Sequence, residues 1–75
     1  MKIIIYTTAG CAYCKMAKEF FKKNNISYEE KDVSDNAVRQ EMIDKSNQLG
    51  VPVIDIDGQI MVGFDEAIMK KLLRI

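Results

Sequence analysis

The sequence predicts an α/β protein with a four-stranded mixed sheet flanked by three helices, in the order βαβαββα. Two observations support this class. Short runs rich in β-branched and aromatic residues alternate with segments whose apolar residues recur at helical spacing. A hairpin dipeptide joins the last two of these runs directly. Antiparallel strands should therefore extend a sheet that begins with a right-handed strand–helix–strand crossover.

The first strand is predicted over residues 2–7, because the run Ile-Ile-Ile-Tyr at positions 3–6 suits a strand that is buried on both faces. Gly10 ends this pattern, and from Cys11 to Asn24 the sequence has the spacing of an amphipathic helix. The apolar residues of this helix are Met16, Ala17, Phe20 and Phe21, and Lys15, Lys18, Lys22 and Lys23 are left for solvent.

The second strand is predicted over residues 26–33. Apolar and polar residues alternate imperfectly there, which is typical of a strand near an edge of the sheet. Ser34 or Asp35 can then cap a second helix that ends at about Ser46. Its apolar face carries Val38, Met42 and Ile43.

Residues 51–56 and 59–62 are predicted to form a hairpin, because the Asp57-Gly58 dipeptide between them favours a type I′ turn. The last helix is predicted from Asp65 to Leu73, with acidic residues at its start and basic residues near its end, as the helix dipole favours. By spacing, the core of the protein should contain Phe20, Phe21, Met42, Ile68 and Leu72.

Length and charge limit the range of functions. A chain of 75 residues has room for one small core, so a single domain is expected over residues 1–75. Eleven basic and eleven acidic residues cancel without any long basic run, which argues against binding to nucleic acid. The apolar runs fall far short of the roughly 18 residues that a membrane span needs. No secretory signal precedes the first strand, so we expect a cytoplasmic protein.

The two cysteines, Cys11 and Cys14, are the most reactive side chains, since the sequence contains no histidine. They are too few for a disulfide framework, and they would leave a tetrahedral zinc site half filled, so we expect no metal site. A Cys-x-x-Cys motif between a strand and a helix favours a redox dithiol. The alternatives are a structural role for the pair or one half of a metal site.

The predicted start of the helix assigns different roles to the two thiols. Unpaired backbone N–H groups and the positive end of the helix dipole would favour the thiolate of Cys11, which makes it the expected nucleophile. Cys14 lies one helical turn further on and should be more buried. Its role would be to attack the mixed disulfide formed at Cys11 and release the reduced substrate.

Pro52 lies inside a strand-like run, where its missing N–H would cost a ladder hydrogen bond. It is tolerated at the start of a strand, at an edge, or after a cis peptide bond. A cis Val51-Pro52 bond would turn the N–H and C=O of Val51 outward, so that an extended peptide could pair with them beside the disulfide. A proline at an edge strand, without a function, is the alternative.

Three motifs together resemble the glutaredoxin family, which has the thioredoxin-like fold. They are Cys-Ala-Tyr-Cys after a strand, Gly-Val-Pro-Val before an Asp-Gly hairpin, and Val-Gly-Phe-Asp-Glu at the start of the last helix. The resemblance extends over essentially the whole chain. It implies a glutathione-dependent thiol–disulfide oxidoreductase of cell redox homeostasis and electron transport, with glutathione as co-substrate and no tightly bound cofactor.

The resemblance also implies roles for individual residues. Cys11 would attack and Cys14 would resolve. The expected glutathione-binding residues are Tyr13, Val51, Pro52, Gly63, Phe64, Asp65 and Arg39. Tyr13 would flank the groove, Val51 would pair with the cysteinyl part, and Arg39 would pair with the glycyl carboxylate. Backbone N–H groups of residues 63–65 would take the γ-glutamyl carboxylate, with Asp65 facing its ammonium group or only capping the helix.

The chain departs from the usual glutaredoxin pattern at three places, which leaves other functions open. Ala12 stands where many glutaredoxins have proline, and Thr8 where they have a lysine. Gly50-Val51-Pro52 replaces the usual threonine-containing version. Gly63-Phe64 is similar to the NrdH-redoxins, which thioredoxin reductase reduces and which can serve a partner such as ribonucleotide reductase. A further alternative, which Ala12 permits, is a glutathione-dependent dimer that binds a [2Fe-2S] cluster. Otherwise a monomer is expected, whose partners are glutathione and disulfide-bearing proteins.

Overall fold

The computed structural model describes residues 2–75, and its elements follow the order expected from the sequence. The strands and helices are β1 (Ile3–Thr7), α1 (Ala12–Lys23), β2 (Glu29–Asp32), α2 (Asn36–Ser46), β3 (Val53–Ile56), β4 (Gln59–Val62) and α3 (Glu66–Leu73). None of the helices within residues 2–75 has the length and apolar composition needed to cross a membrane. The predicted βαβαββα arrangement is therefore confirmed.

The four strands form one mixed sheet in the order β2-β1-β3-β4. Strand β1 lies inside the sheet, parallel to β2 and antiparallel to β3, so that Ile5 faces Glu30 on one side and Ile54 on the other. All five residues of β1 are buried, as the unbroken apolar run indicated. The carboxyl end of β1 leads directly into the segment that contains the two cysteines.

Alternation along β1 divides the core into two layers. Ile3 and Ile5 face the layer that contains Phe21 and Met69, on the side of α1 and α3. Ile4 and Tyr6 face the opposite layer, which contains Met42 of α2 and Val53 of β3. Since successive side chains of a strand point to opposite faces, one apolar strand supports helices on both sides of the sheet.

The hairpin between β3 and β4 has the predicted turn. Asp57 and Gly58 both have positive φ, at 50° and 89°, as a type I′ turn requires. The Gly58 N–H donates a hydrogen bond to the Asp55 carboxylate at 2.7 Å, which fixes the turn to the end of β3. The hairpin therefore holds the preceding Val51-Pro52 segment against the end of the sheet.

Two predictions about packing were wrong. Ile68, expected in the core, is 49% exposed, and Met16 on the apolar face of α1 is exposed to the same extent. In α3 the buried residues are Met69 and Leu73, which are four apart and so lie above one another on the face toward the sheet. Ile68 precedes Met69 by one residue, about 100° around the helix, and so faces away from the sheet.

The second strand is shorter than predicted. It covers Glu29–Asp32 instead of residues 26–33, and its residues are mostly exposed at the edge of the sheet. Ile26 and Tyr28 precede the strand and pack against the core without joining the ladder, and the rings of Tyr28 and Phe21 lie 5.1 Å apart. These apolar residues made the strand look longer in the sequence than it is.

Candidate active site

Cys11 occupies the N-cap position of α1. Its backbone is extended (φ −88°, ψ 112°), and its sulfur accepts a hydrogen bond from the Cys14 N–H at 3.2 Å. A side-chain oxygen of serine or aspartate usually accepts this bond at a helix start. The positive end of the helix dipole acts at the same place. The side chain is partly exposed, so a disulfide can reach the sulfur.

Cys14 differs from Cys11 in its surroundings. It lies within the first turn of α1 and is fully buried, and both cysteines are free thiols. Burial raises the pKa of the Cys14 thiol, and the hydrogen bond with Cys11 raises it further. At neutral pH Cys14 is therefore a protonated thiol, held next to a more accessible sulfur.

The segment before β3 lies against Cys11. The Val51-Pro52 peptide bond is cis, and the Val51 carbonyl oxygen is 3.9 Å from the Cys11 sulfur. Pro52 is buried, and its carbonyl accepts a hydrogen bond from the Gly63 N–H at 2.8 Å. Within residues 2–75 the Val51 N–H has no hydrogen-bond partner. An extended peptide could therefore pair with the backbone of Val51 next to the dithiol.

The residues before α3 form the other side of this site. Gly63 has a φ of 83°, a left-handed conformation that glycine adopts readily, and its N–H is already occupied by Pro52. The Phe64 ring packs on Phe20 with 5.7 Å between centroids. The N–H groups of Phe64 and Asp65 have no acceptor among the residues described. These two N–H groups, and not that of Gly63, are available to a carboxylate.

Asp65 caps α3. Its carboxylate accepts a hydrogen bond from the Ile68 N–H at 3.2 Å, so the capping role that the sequence allowed is present in the structure. The aspartate is exposed, and only one of its oxygens makes this bond. The second oxygen remains available for a cationic group, which keeps the other expected role of Asp65 compatible with the cap.

Tyr13 and Arg39 are more loosely placed. Tyr13 follows the nucleophile in the first turn of α1, and its side chain is 60% exposed. Arg39 is exposed on α2, and in the part of the chain that is described it forms no ion pair. The structure thus brings Val51 to Cys11 and leaves both of these side chains free in solvent.

A groove beside Cys11 was missed by the sequence-based predictions. Its volume is about 550 Å³, and it is lined by the turn before α1 and by one face of that helix, including Cys11, Lys15, Lys18 and Lys22. The residues assigned to glutathione do not line it. The signal in the sequence was the spacing of the three lysines, which places them on one helical face, although such a pattern usually marks only a solvated surface.

No group of three or more metal-ligating side chains comes together within residues 2–75. The groups available for chemistry at the site include the two thiols, the start of a helix and the exposed backbone of Val51. This arrangement can exchange disulfides, because it combines an accessible sulfur at the start of a helix with a second thiol one helical turn away.

Comparisons with known proteins agree with this chemistry. The family model described as Glutaredoxin matches residues 3–61. An uncharacterized glutaredoxin-like 8.6 kDa protein in the rubredoxin operon of Clostridium pasteurianum is 47% identical over 72 residues, or 95% of this chain and 96% of that protein. Glutaredoxin 3 of Escherichia coli K12 is 40% identical over 63 residues, covering 83% of this chain and 76% of the relative.

A solved structure is similar over nearly its whole length. The crystal structure of the thioredoxin-like protein BC3987 superposes with a TM-score of 0.88 at 38% sequence identity, covering 95% of this chain and 99% of that one. The mixed sheet and its helices therefore have the arrangement of a thioredoxin-like protein.

Proposed function

The chain belongs to the glutaredoxin family of thiol–disulfide oxidoreductases, and from this premise we propose that its Cys11–Cys14 dithiol reduces protein disulfides and mixed disulfides with glutathione. Glutathione is the co-substrate that returns the dithiol to its reduced form. The observation that carries the proposal is the position of Cys11, whose sulfur caps α1 and lies 3.2 Å from the Cys14 backbone nitrogen.

The reaction proceeds in two exchanges. The Cys11 thiolate attacks one sulfur of the substrate disulfide, the substrate S–S bond breaks, and the departing sulfur leaves as a thiolate that takes a proton from water. Cys14 then loses its proton and attacks the Cys11 sulfur. This releases the second substrate thiol and leaves a Cys11–Cys14 disulfide, so two electrons have passed to the substrate. Two glutathione molecules reduce this disulfide and become glutathione disulfide.

Backbone groups support a glutathione position beside Cys11. The free Val51 N–H and the Val51 carbonyl 3.9 Å from the sulfur suit the cysteinyl part of the tripeptide. The free N–H groups of Phe64 and Asp65, at the start of α3, suit the γ-glutamyl carboxylate. The unoccupied oxygen of Asp65 suits the ammonium group of the same residue.

An aspartate-to-asparagine exchange tests this position. Asp65→Asn keeps an oxygen that can cap α3 but removes the negative charge, whereas Asp65→Ala removes both. We expect Asp65→Asn to fold with unchanged stability and to raise the KM for a glutathionylated peptide several-fold, while Asp65→Ala also loses about 1 kcal/mol of stability. The KM is measured with the glutathione and glutathione reductase system. An unchanged KM in Asp65→Asn would show that Asp65 only caps the helix and does not bind glutathione.

A second candidate concerns the source of electrons. Thr8 stands where many glutaredoxins have a lysine, so one anchor for a glutathione carboxylate is missing, and Arg39 is exposed on α2. These observations favour an NrdH-like protein that thioredoxin reductase reduces. Turnover of the same disulfide substrate with glutathione plus glutathione reductase, compared with thioredoxin reductase plus NADPH, separates the two. Turnover with thioredoxin reductase alone would remove glutathione from the proposal.

A further inference from the structure

The groove beside Cys11 differs in charge from the rest of the molecule. The chain as a whole is neutral, yet the face of α1 that lines the groove carries Lys15, Lys18 and Lys22. Glu19 is the acidic residue that also lines it. The other side of the site begins with Asp65 and Glu66 at the start of α3. Positive charge is therefore concentrated on one side of the nucleophile.

Two of the three lysines form no ion pair within the described residues. Lys18 forms an ion pair with Glu30 of β2 at 2.9 Å, so its charge is neutralised locally. Lys15 and Lys22, by contrast, have no ion-pair partner among residues 2–75. Because opposite charges steer partners and select among them, these two cations make the groove attractive to an acidic ligand.

The size of the groove fits a polypeptide. Its volume is about 550 Å³, and Cys11 is one of the residues that line it. A helix rises ~1.5 Å per residue, so Lys22 lies ~16 Å along α1 from Cys11. An extended peptide advances ~3.3 Å per residue, so a chain whose cysteine is bound at Cys11 reaches Lys15 after about two residues and Lys22 after about five.

We propose that this groove binds an acidic segment of the disulfide-bearing protein substrate, within about five residues of the substrate cysteine. This inference rests on the proposed disulfide exchange at Cys11 and adds a rule of substrate selection to it. The acidic side chains lie against Lys15 and Lys22, and the substrate sulfur lies at Cys11. The pairs are exposed, so the groove selects among substrates by attraction that salt weakens.

Peptide disulfides test the proposal. Each of three peptide probes carries one cysteine in a mixed disulfide with 2-mercaptoethanol. The probes have the same sequence except at the positions two and five residues before and after that cysteine. At these positions one probe has Glu, the second has Gln and the third has Lys. We expect the reduced protein to attack the Glu probe roughly fivefold faster than the Gln probe at low ionic strength, and the Lys probe most slowly. The ratio of the Glu-probe rate to the Gln-probe rate should approach one in high salt.

Matched variants assign the preference to the groove. The double variant Lys15→Gln and Lys22→Gln should lose the Glu-over-Gln preference. Lys70→Gln with Lys71→Gln on α3 makes the same change in net charge and should keep it. The ratio of the two probe rates cancels any change in the reactivity of Cys11 itself. A Glu probe whose acidic residues are moved to eight or more residues from the cysteine should lose its advantage as well.

The outcomes distinguish this inference from the reaction on which it rests. Reduction of the Gln probe without preference for the Glu probe would overturn the acidic docking site and leave disulfide exchange intact. Full preference in the groove variant would likewise overturn it, because another surface would then select the substrate. Failure to reduce any probe would overturn the proposed function, and the docking site with it.

Discussion

At the scale of single residues, burial separates the two thiols more than sequence spacing does. Cys11 and Cys14 are three residues apart in one motif, yet Cys11 is partly exposed at a helix cap and Cys14 is fully buried. Burial opposes ionisation of the Cys14 thiol, whereas the Cys11 sulfur lies at the start of a helix where a disulfide can reach it. One residue is thus suited to attack first, and the other is suited to wait until a mixed disulfide has formed.

The raised pKa of Cys14 predicts how resolution depends on pH. Burial, the largest cause, persists in the mixed disulfide, so the Cys14 thiolate fraction should still increase about tenfold per pH unit above the ordinary thiol value of ~8.5. An aromatic disulfide that releases a coloured thiolate reports both steps by stopped flow, and the second phase should keep accelerating above that pH.

Cys14→Ser is the control for that experiment, since it should release one coloured equivalent with no second phase. A second phase that levels off at or below pH 8.5 would contradict a raised pKa for Cys14.

Tyr6 is a buried residue whose hydroxyl group contacts a carboxylate. Its ring is fully buried, and its hydroxyl donates a hydrogen bond to Glu41, which also accepts one from Lys31 at 2.9 Å. Hydrogen bonds from Tyr6 and Lys31 lower the pKa of the Glu41 carboxyl. A lowered pKa means that the folded state stabilises the ionised form of Glu41 relative to the unfolded state. This stabilisation is present above the unfolded value and is lost as pH falls through the folded value.

Tyr6→Phe should therefore cost about 1 kcal/mol of unfolding free energy at pH 7, the net contribution of a typical hydrogen bond. The cost should shrink as pH falls below the ordinary glutamate value of about 4.3 and Glu41 becomes protonated in the folded protein. Urea unfolding at the two pH values measures it. Tyr28→Phe makes the same change at a hydroxyl that has no hydrogen-bond partner in the described structure. Equal losses in the two variants at pH 7 would argue against the Glu41 contact.

At the scale of elements, local signals predicted the ends of helices better than the lengths of strands. Asp35 and Asp65 cap α2 and α3, and Asn24 ends α1, because capping depends on side chains only a few residues away. The ends of β2 depend instead on which residues of β1 are available for backbone pairing. The pairing stops at Asp32, opposite Thr7, and at the other end begins with Glu29 opposite Ile4. No property of residues 26–33 alone contains that information.

The cap of α2 can be tested by itself. The Asp35 carboxylate accepts hydrogen bonds from the N–H groups of Ala37 and Val38, at 2.9 and 3.2 Å. Asp35→Ala should lower the unfolding free energy by about 1 kcal/mol, and Asp35→Ser should restore most of it. Asp44→Ala changes an exposed residue in the middle of the same helix, and it should change the unfolding free energy by less than about 0.5 kcal/mol. Thermal or urea unfolding would contradict the cap if Asp35→Ala were as stable as the original protein.

At the scale of the whole molecule, the order of elements was predictable because each helix and strand pattern was local and complete. The proline in the strand-like run and the resemblance to glutaredoxins both suggested that Val51 lies beside the dithiol, although no periodic pattern links Val51 to Cys11 across 40 residues. Ile68 was wrongly placed in the core because α3 has four apolar residues on one broad face, and the sequence does not show which of the four point toward the sheet. The groove was missed because a cavity depends on how the turn before α1 folds back along that helix.

At the same scale, the fold explains how distant parts of the chain meet at the candidate active site. Strand β1 lies inside the sheet, the turn after it places Cys11 at the start of α1, and the hairpin holds Val51 against the sulfur. Each part comes from a different region of the chain. The chain belongs to the glutaredoxin family, and Cys11 and Cys14 are its candidate redox pair. Which of the two thiols attacks first is the question that experiment should address first.

Trapping the mixed disulfide tests which thiol attacks first. Reduced Cys14→Ser is mixed with a glutathionylated peptide, quenched with acid and examined by mass spectrometry, beside Cys11→Ser and the original protein. We expect a mixed disulfide on Cys11 to accumulate in Cys14→Ser, none to form in Cys11→Ser, and the original protein to end as the Cys11–Cys14 disulfide. Adduct formation on Cys14 in Cys11→Ser, as fast as on Cys11 in Cys14→Ser, would contradict the assignment of Cys11 as the nucleophile.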